Sequence, residues 1–145
     1  MRTLGKTLGI TAAIVLIAAC SPEPPKKMAV RTDTAPVAED FPEIGEIVEA
    51  SWVEERLGAS EGRIEAPGPS DLRLSALVKL RIDAASKVVS GYKCHAGVPA
   101  APEQLKALMP SGVAWLSCEL PTTTKSRTVF VAAGSERAFL TSTTM

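Results

Sequence analysis

The sequence predicts an α+β domain in which helices pack on one face of an antiparallel sheet of about four strands. Three observations predict it. Residues 71–82 alternate, with Leu72, Leu74, Ala76, Val78, Leu80 and Ile82 against Arg73, Ser75, Lys79 and Arg81. That is the period-2 pattern of a half-buried strand. Near the C-terminus, residues 128–133 and 137–143 flank Gly134-Ser135-Glu136, which predicts a hairpin with glycine in its short connection. Two further segments carry apolar residues at helical spacing, so the order is helix, strand, helix, then three strands. Such an order sets helices to one side of an antiparallel sheet.

The first expected helix spans residues 40–55. Asp40 offers an N-cap carboxylate, Glu43 completes a capping box, and Pro42 is tolerated in the first turn. Phe41, Ile44, Ile47, Val48 and Trp52 recur on one face, Glu43, Glu46 and Glu49 on the other, and Gly58 ends the run. Residues 58–70 hold Gly58, Gly62, Pro67, Gly68 and Pro69 and form a loop. In the strand at 71–82, Leu77 alone breaks the polar face. The next segment admits two readings. Val88, Ser90, Tyr92 and Cys94 alternate as in a strand, while Ala84, Ala85, Val88, Val89 and Tyr92 fall at helical spacing behind Asp83. The helical pattern uses more of the apolar residues and predicts a short helix over 83–92. A proline-rich stretch at 98–102 and a possible helical turn from Pro102 to Met109 follow. A strand at 113–120, apolar on both faces, and the hairpin strands at 128–133 and 137–143 complete the sheet. No internal repeat is visible.

The N-terminus is of a different kind. Arg2 and Lys6 form a positive region without acids, and Leu8 to Ala19 is almost entirely apolar. At about a dozen residues the run is shorter than the ~20 needed to cross a bilayer as a helix, and its layout is that of an export signal. It ends in Leu16-Ile17-Ala18-Ala19-Cys20, which resembles the lipobox of bacterial lipoproteins. The resemblance covers about twenty residues and implies cleavage before Cys20, whose thiol accepts a diacylglycerol thioether. It implies anchoring to a membrane by two or three acyl chains, palmitate among them, where a single chain binds only marginally. Ser21, where aspartate would commonly hold such a protein at the inner membrane, implies the outer membrane facing the periplasm. Domain organisation follows: 1–19 a signal peptide, 20–39 the lipidated cysteine with a disordered, proline-rich tether, and 40–145 a single globular domain. Pro22, Pro24 and Pro25 beside Lys26 and Lys27 support an extended spacer.

Lipidation of Cys20 leaves Cys94 and Cys118, and two cysteines in an exported domain most often form a disulfide. A structural metal site wants four ligands, commonly in close pairs; the chain has one histidine, His95, and no C-x-x-C. Neither a metal nor a cofactor is expected. Catalysis is equally poorly supported. His95 sits beside a cysteine expected to be oxidised, Ser70-Asp71 lies at a loop–strand boundary where both types serve as turn and cap residues, and no G-x-S-x-G, phosphate-binding glycine loop or H-E-x-x-H is present. No catalytic residues are assigned.

Without residues 1–19 the chain carries 14 basic and 16 acidic residues, a balance that argues against generic nucleic-acid binding. Its scattered aromatics form no stacking platform for single strands. Charge is unevenly placed, with nine acids and two bases from Glu39 to Glu65 and eight bases and three acids from Leu72 to Arg127. The plain account is two solvated faces that partly neutralise each other. The sharper one makes Glu43, Glu46 and Glu49 an acidic face that steers a cationic protein partner. The expected role is a non-catalytic binding or accessory domain of a lipid-anchored envelope protein, with an inhibitor or immunity protein as a specific form. The alternative is a structural subunit of a secretion or conjugation assembly, and an enzyme comes third.

Overall fold

Residues 28–57 and 71–144 are described by the structure, a computed structural model of the chain. They form one six-stranded antiparallel sheet in the order β1-β2-β6-β5-β4-β3. The strands are β1 (Ile47–Arg56), β2 (Leu72–Leu80), β3 (Cys94–Ala96), β4 (Trp115–Glu119), β5 (Lys125–Ala132) and β6 (Arg137–Thr144). The helices are short: α1 (Ala35–Asp40), a 3₁₀ turn at Pro42–Ile44, α2 (Ile82–Gly91) and α3 (Glu103–Lys106). The class is mainly β. This corrects the α+β expectation of about four strands with helices 40–55 and 83–92 on one face.

The error lies in residues 40–55. Asp40 ends α1 instead of capping a helix, Pro42 opens the 3₁₀ turn, and Gly45 takes φ 86°, which breaks any helix there. From Ile47 onward the chain is a ten-residue strand paired with β2 from Ile47↔Leu80 to Arg56↔Leu72. An irregularity between Ile47 and Glu49 shifts the register. Ile47 and Ala50 therefore both reach the same core, which made a strand imitate a helical spacing. Val48, which a helix would bury, is 50% exposed.

Sheet alternation divides the core in two. Ala50, Trp52, Leu74, Ala76, Val78, Leu80, Cys118, Val129, Val131, Ala138 and Leu140 share one face with Val37, Phe41 and Ile44 of the N-terminal segment and Ala84, Ala85 and Val88 of α2. Val53, Leu77, Trp115, Ala132 and Phe139 lie on the other, against Leu105 of α3. The sheet is thus covered on both sides, not one. Leu77 is the apolar residue in the polar register of β2 because the α3 segment covers that face. The two-sided apolarity of β4 has the same cause, with Trp115 on one face and Cys118 on the other.

The expected tether also changes extent. Arg31 and Trp52 form an antiparallel bridge, Val37 is 0% exposed within the first core, and α1 is packed with it. Residues 28–39, expected as the second part of the tether, therefore belong to the domain. Residues 1–27, with the expected leader, Cys20 and the start of the expected spacer, lie outside the described residues, as does the expected loop at 58–70.

Candidate functional site

Three constellations rise above the scaffold: a charged cluster beneath the N-terminal segment, the disulfide, and a groove beside α2. The charged cluster forms because β5 and β6 place Lys125, Arg127 and Ser142 toward the face that α1 and the 3₁₀ turn cover. Arg127 has a side chain only 4% exposed. Its Nη1 donates to the Asp40 carbonyl at 2.8 Å and to Glu43 Oε2 at 3.0 Å, and its Nη2 donates to Glu43 Oε1 at 2.7 Å and to the Pro121 carbonyl at 3.1 Å. Two parallel bonds to one carboxylate are the strong, geometrically selective form of an ion pair. The Asp40 carboxylate accepts from Lys125 Nζ and, at 2.8 Å, from Ser142 Oγ. Burial alone would raise the Glu43 pKa, but the Arg127 hydrogen bonds, a local backbone bond and the guanidinium charge hold it below the ordinary 4.5. Arg127 Nε is buried without a partner. Nearly every polar atom here is used to fasten the N-terminal segment to the sheet, so the cluster is a clamp and not a reaction centre.

Cys94 and Cys118 are bonded to each other and are directly opposed between β3 and β4. The bond ties the three-residue edge strand to the sheet, where few backbone hydrogen bonds would hold it. A closed loop of this length stabilises the native state by about 3.5 kcal/mol in the chain-entropy model. His95, on β3, is exposed and stands opposite the buried Ser117 in register, with no hydrogen bond between the two side chains.

The acidic trio is not assembled as expected. Glu43 is committed to Arg127, Glu46 pairs with Arg81 at 3.3 Å, and Glu49 lies on β1 opposite Lys79. No helix gathers them on one face, and Glu43 and Glu46 are ion-paired to different cations. Asp83 and Glu103 likewise have lowered pKa values, chiefly through hydrogen bonds from Lys87 and Lys106. Among the described residues no three His, Cys, Asp or Glu side chains come together in a way that could hold a metal ion.

The groove is the feature most suited to recognition. It runs between α2 and the β5–β6 hairpin with a volume of about 600 Å³, within the size range of binding clefts. Ile82 and Val89 of α2 face Leu116 of β4 and Val131 of β5, while Ser86 and Ser135 supply hydroxyls. Ile82 is 77% exposed. Helix α2 turns Ala84, Ala85 and Val88 into the core, which leaves its second apolar stripe along the groove. That stripe was legible, since Val89 belongs to the apolar set that predicts the helix, but its counterpart on the hairpin appears only once β5 and α2 are adjacent. Arg127 was missed for a related reason. It occupies the same alternating register as Val129 and Val131, which marks an inward position, but its carboxylate partner Glu43 is more than 80 residues away.

No family model matches the chain, and no curated protein or solved structure matches it either.

Proposed function

We propose that the chain is a lipid-anchored envelope protein whose six-stranded domain binds a protein partner without catalysing a reaction, as an inhibitor or immunity protein does. The division of the three cysteines carries this reading. Cys94 and Cys118 are joined to each other, a bond that persists in oxidising compartments such as the periplasm. Cys20 stands at the end of the apolar leader, after Ala18-Ala19. Among the described residues no helix is long and apolar enough to cross a membrane, so acyl chains on Cys20 would supply the attachment, at the outer membrane given Ser21.

The binding surface of this proposal is the α2–hairpin groove instead of the acidic trio, because the groove has an open apolar lining while Glu43 and Glu46 already hold ion-pair partners. Metabolic labelling with a palmitate analogue tests the anchor. Label is expected in the wild-type chain and lost in Cys20→Ala, with the variant released to the soluble fraction. An unlabelled wild-type chain would remove the reading.

A further inference from the structure

The way the chain enters the domain sets which end of the sheet meets the anchor. Arg31 N donates to the Trp52 carbonyl at 2.8 Å and Trp52 N donates to the Arg31 carbonyl at 2.9 Å, in an antiparallel bridge. The Arg31 guanidinium lies 4.1 Å from the centre of the Trp52 ring, and Trp52 Nε1 donates to the Asp33 carbonyl at 2.8 Å. Entry is therefore held by backbone and side chain together. In an antiparallel pair one chain runs backward as the other runs forward, so from Arg31 toward Met28 the backbone heads the way β1 advances, toward Arg56. At that end β1 and β6 finish, at Arg56 and Thr144, and β2 and β5 begin, at Leu72 and Lys125. The groove lies at the other end. Its hairpin wall, Ala133 to Glu136, joins the end of β5 to the start of β6, and Ile82 follows the end of β2.

We infer that the anchored chain holds the Arg56–Thr144 end of the sheet toward the bilayer and turns the α2–hairpin groove away from it, toward the apolar side chains of a polypeptide in the aqueous space. This rests on the lipid anchor proposed at Cys20. Seven residues lie between Cys20 and Met28, a reach of at most about 28 Å when fully extended and about 25 Å at the ~3.1 Å per residue of a proline-rich spacer. A strand of eight residues such as β6 adds about 27 Å between the entry end and the groove. With the entry end toward the lipid the tether needs little of its reach, whereas the reversed domain would need nearly all of it to span the strand length, so the near end is the membrane side and the groove stands above the lipid. The occupant is then not an acyl chain of the bilayer. Serine hydroxyls beside Ile82, Val89 and Leu116 suit a segment that is apolar on one side and polar on the other.

The full chain, lipidated at Cys20, is placed in vesicles of phosphatidylethanolamine and phosphatidylglycerol that carry an acceptor dye on their headgroups. A fluorescent amino acid is introduced at Arg73, near the entry end, or at Ala133, on the groove, both exposed positions. Energy transfer from position 73 is expected to exceed that from position 133 by about twofold or more, given the strand length between them. Equal transfer, or stronger transfer from 133, overturns the orientation. A photo-crosslinking amino acid at Ile82 tests the occupant in intact cells. A polypeptide adduct of one discrete mass, abolished by Ser86→Arg across the groove, is expected; a lipid adduct, or no polypeptide adduct, overturns it. Flotation of the wild-type chain with the vesicles, lost in Cys20→Ala, is read first. If the wild type does not float, the anchor fails and takes the orientation with it, whereas reversed transfer in floating protein removes the orientation alone.

Discussion

Arg127 shows what a single buried cation does in a small β domain. Its guanidinium spans the Glu43 carboxylate and the carbonyls of Asp40 and Pro121, so its removal leaves several buried acceptors without a donor. Arg127→Ala is expected to lower unfolding stability by about 3–5 kcal/mol, measured by urea denaturation at neutral pH. Glu43 gives the cluster a pH signature. Its folded pKa lies below the unfolded value, so its contribution is fully present above the unfolded pKa and is lost as pH falls through the folded one. Stability should therefore decline as acid is added below about pH 4.5, and Glu43→Gln should flatten that part of the profile. An identical acid limb in the variant would show that other carboxylates carry it. These roles were hidden at the sequence level because a carboxylate at residue 43 that pairs across the sheet looks the same as one that caps a helix.

At the scale of elements, β1 and β2 are the instructive pair. Leu77→Ala empties a position buried beneath α3 and should cost about 2–5 kcal/mol. Val48→Ala, on the exposed side of β1, should change stability by about 0.5 kcal/mol or less. A helix over 40–55 would reverse the expectation for Val48, so thermal unfolding of the two variants checks the strand directly. The strand expected at 71–82, the helix at 83–92 and the hairpin strands at 128–133 and 137–143 have counterparts at Leu72–Leu80, Ile82–Gly91, Lys125–Ala132 and Arg137–Thr144, because local patterns mark them and Gly134, at φ 70°, marks the turn. At 83–92 two periods competed, and the helical one used more of the apolar residues. Residues 40–55 were not legible. A register irregularity next to Gly45 displaced the apolar residues of β1 into a spacing that also fits a helix, and tertiary pairing with β2 decided between them. At three residues, β3 is too short to show a period, and the cysteine within it was the only sign that it was fastened to anything. Replacing both Cys94 and Cys118 by Ser should lower stability by up to about 3.5 kcal/mol, with the loss read from the denaturation midpoint.

For the whole molecule, the sequence by itself determined the pairing of Cys94 with Cys118 and the approximate places of four of the strands. Each is written locally, in a residue count or a short-range period. Only the tertiary structure decided that the sheet has six strands and is covered on both faces. It also decided that the chain is already packed with the domain at residue 31, that Arg127 clamps the N-terminal segment, and that α2 and the hairpin enclose a groove. The physical reason is the length of the contacts. Trp52 meets Arg31, Arg127 meets Glu43, and Leu77 meets the α3 segment across separations at which no local period or propensity operates, so those choices wait for the sheet to bring the partners together.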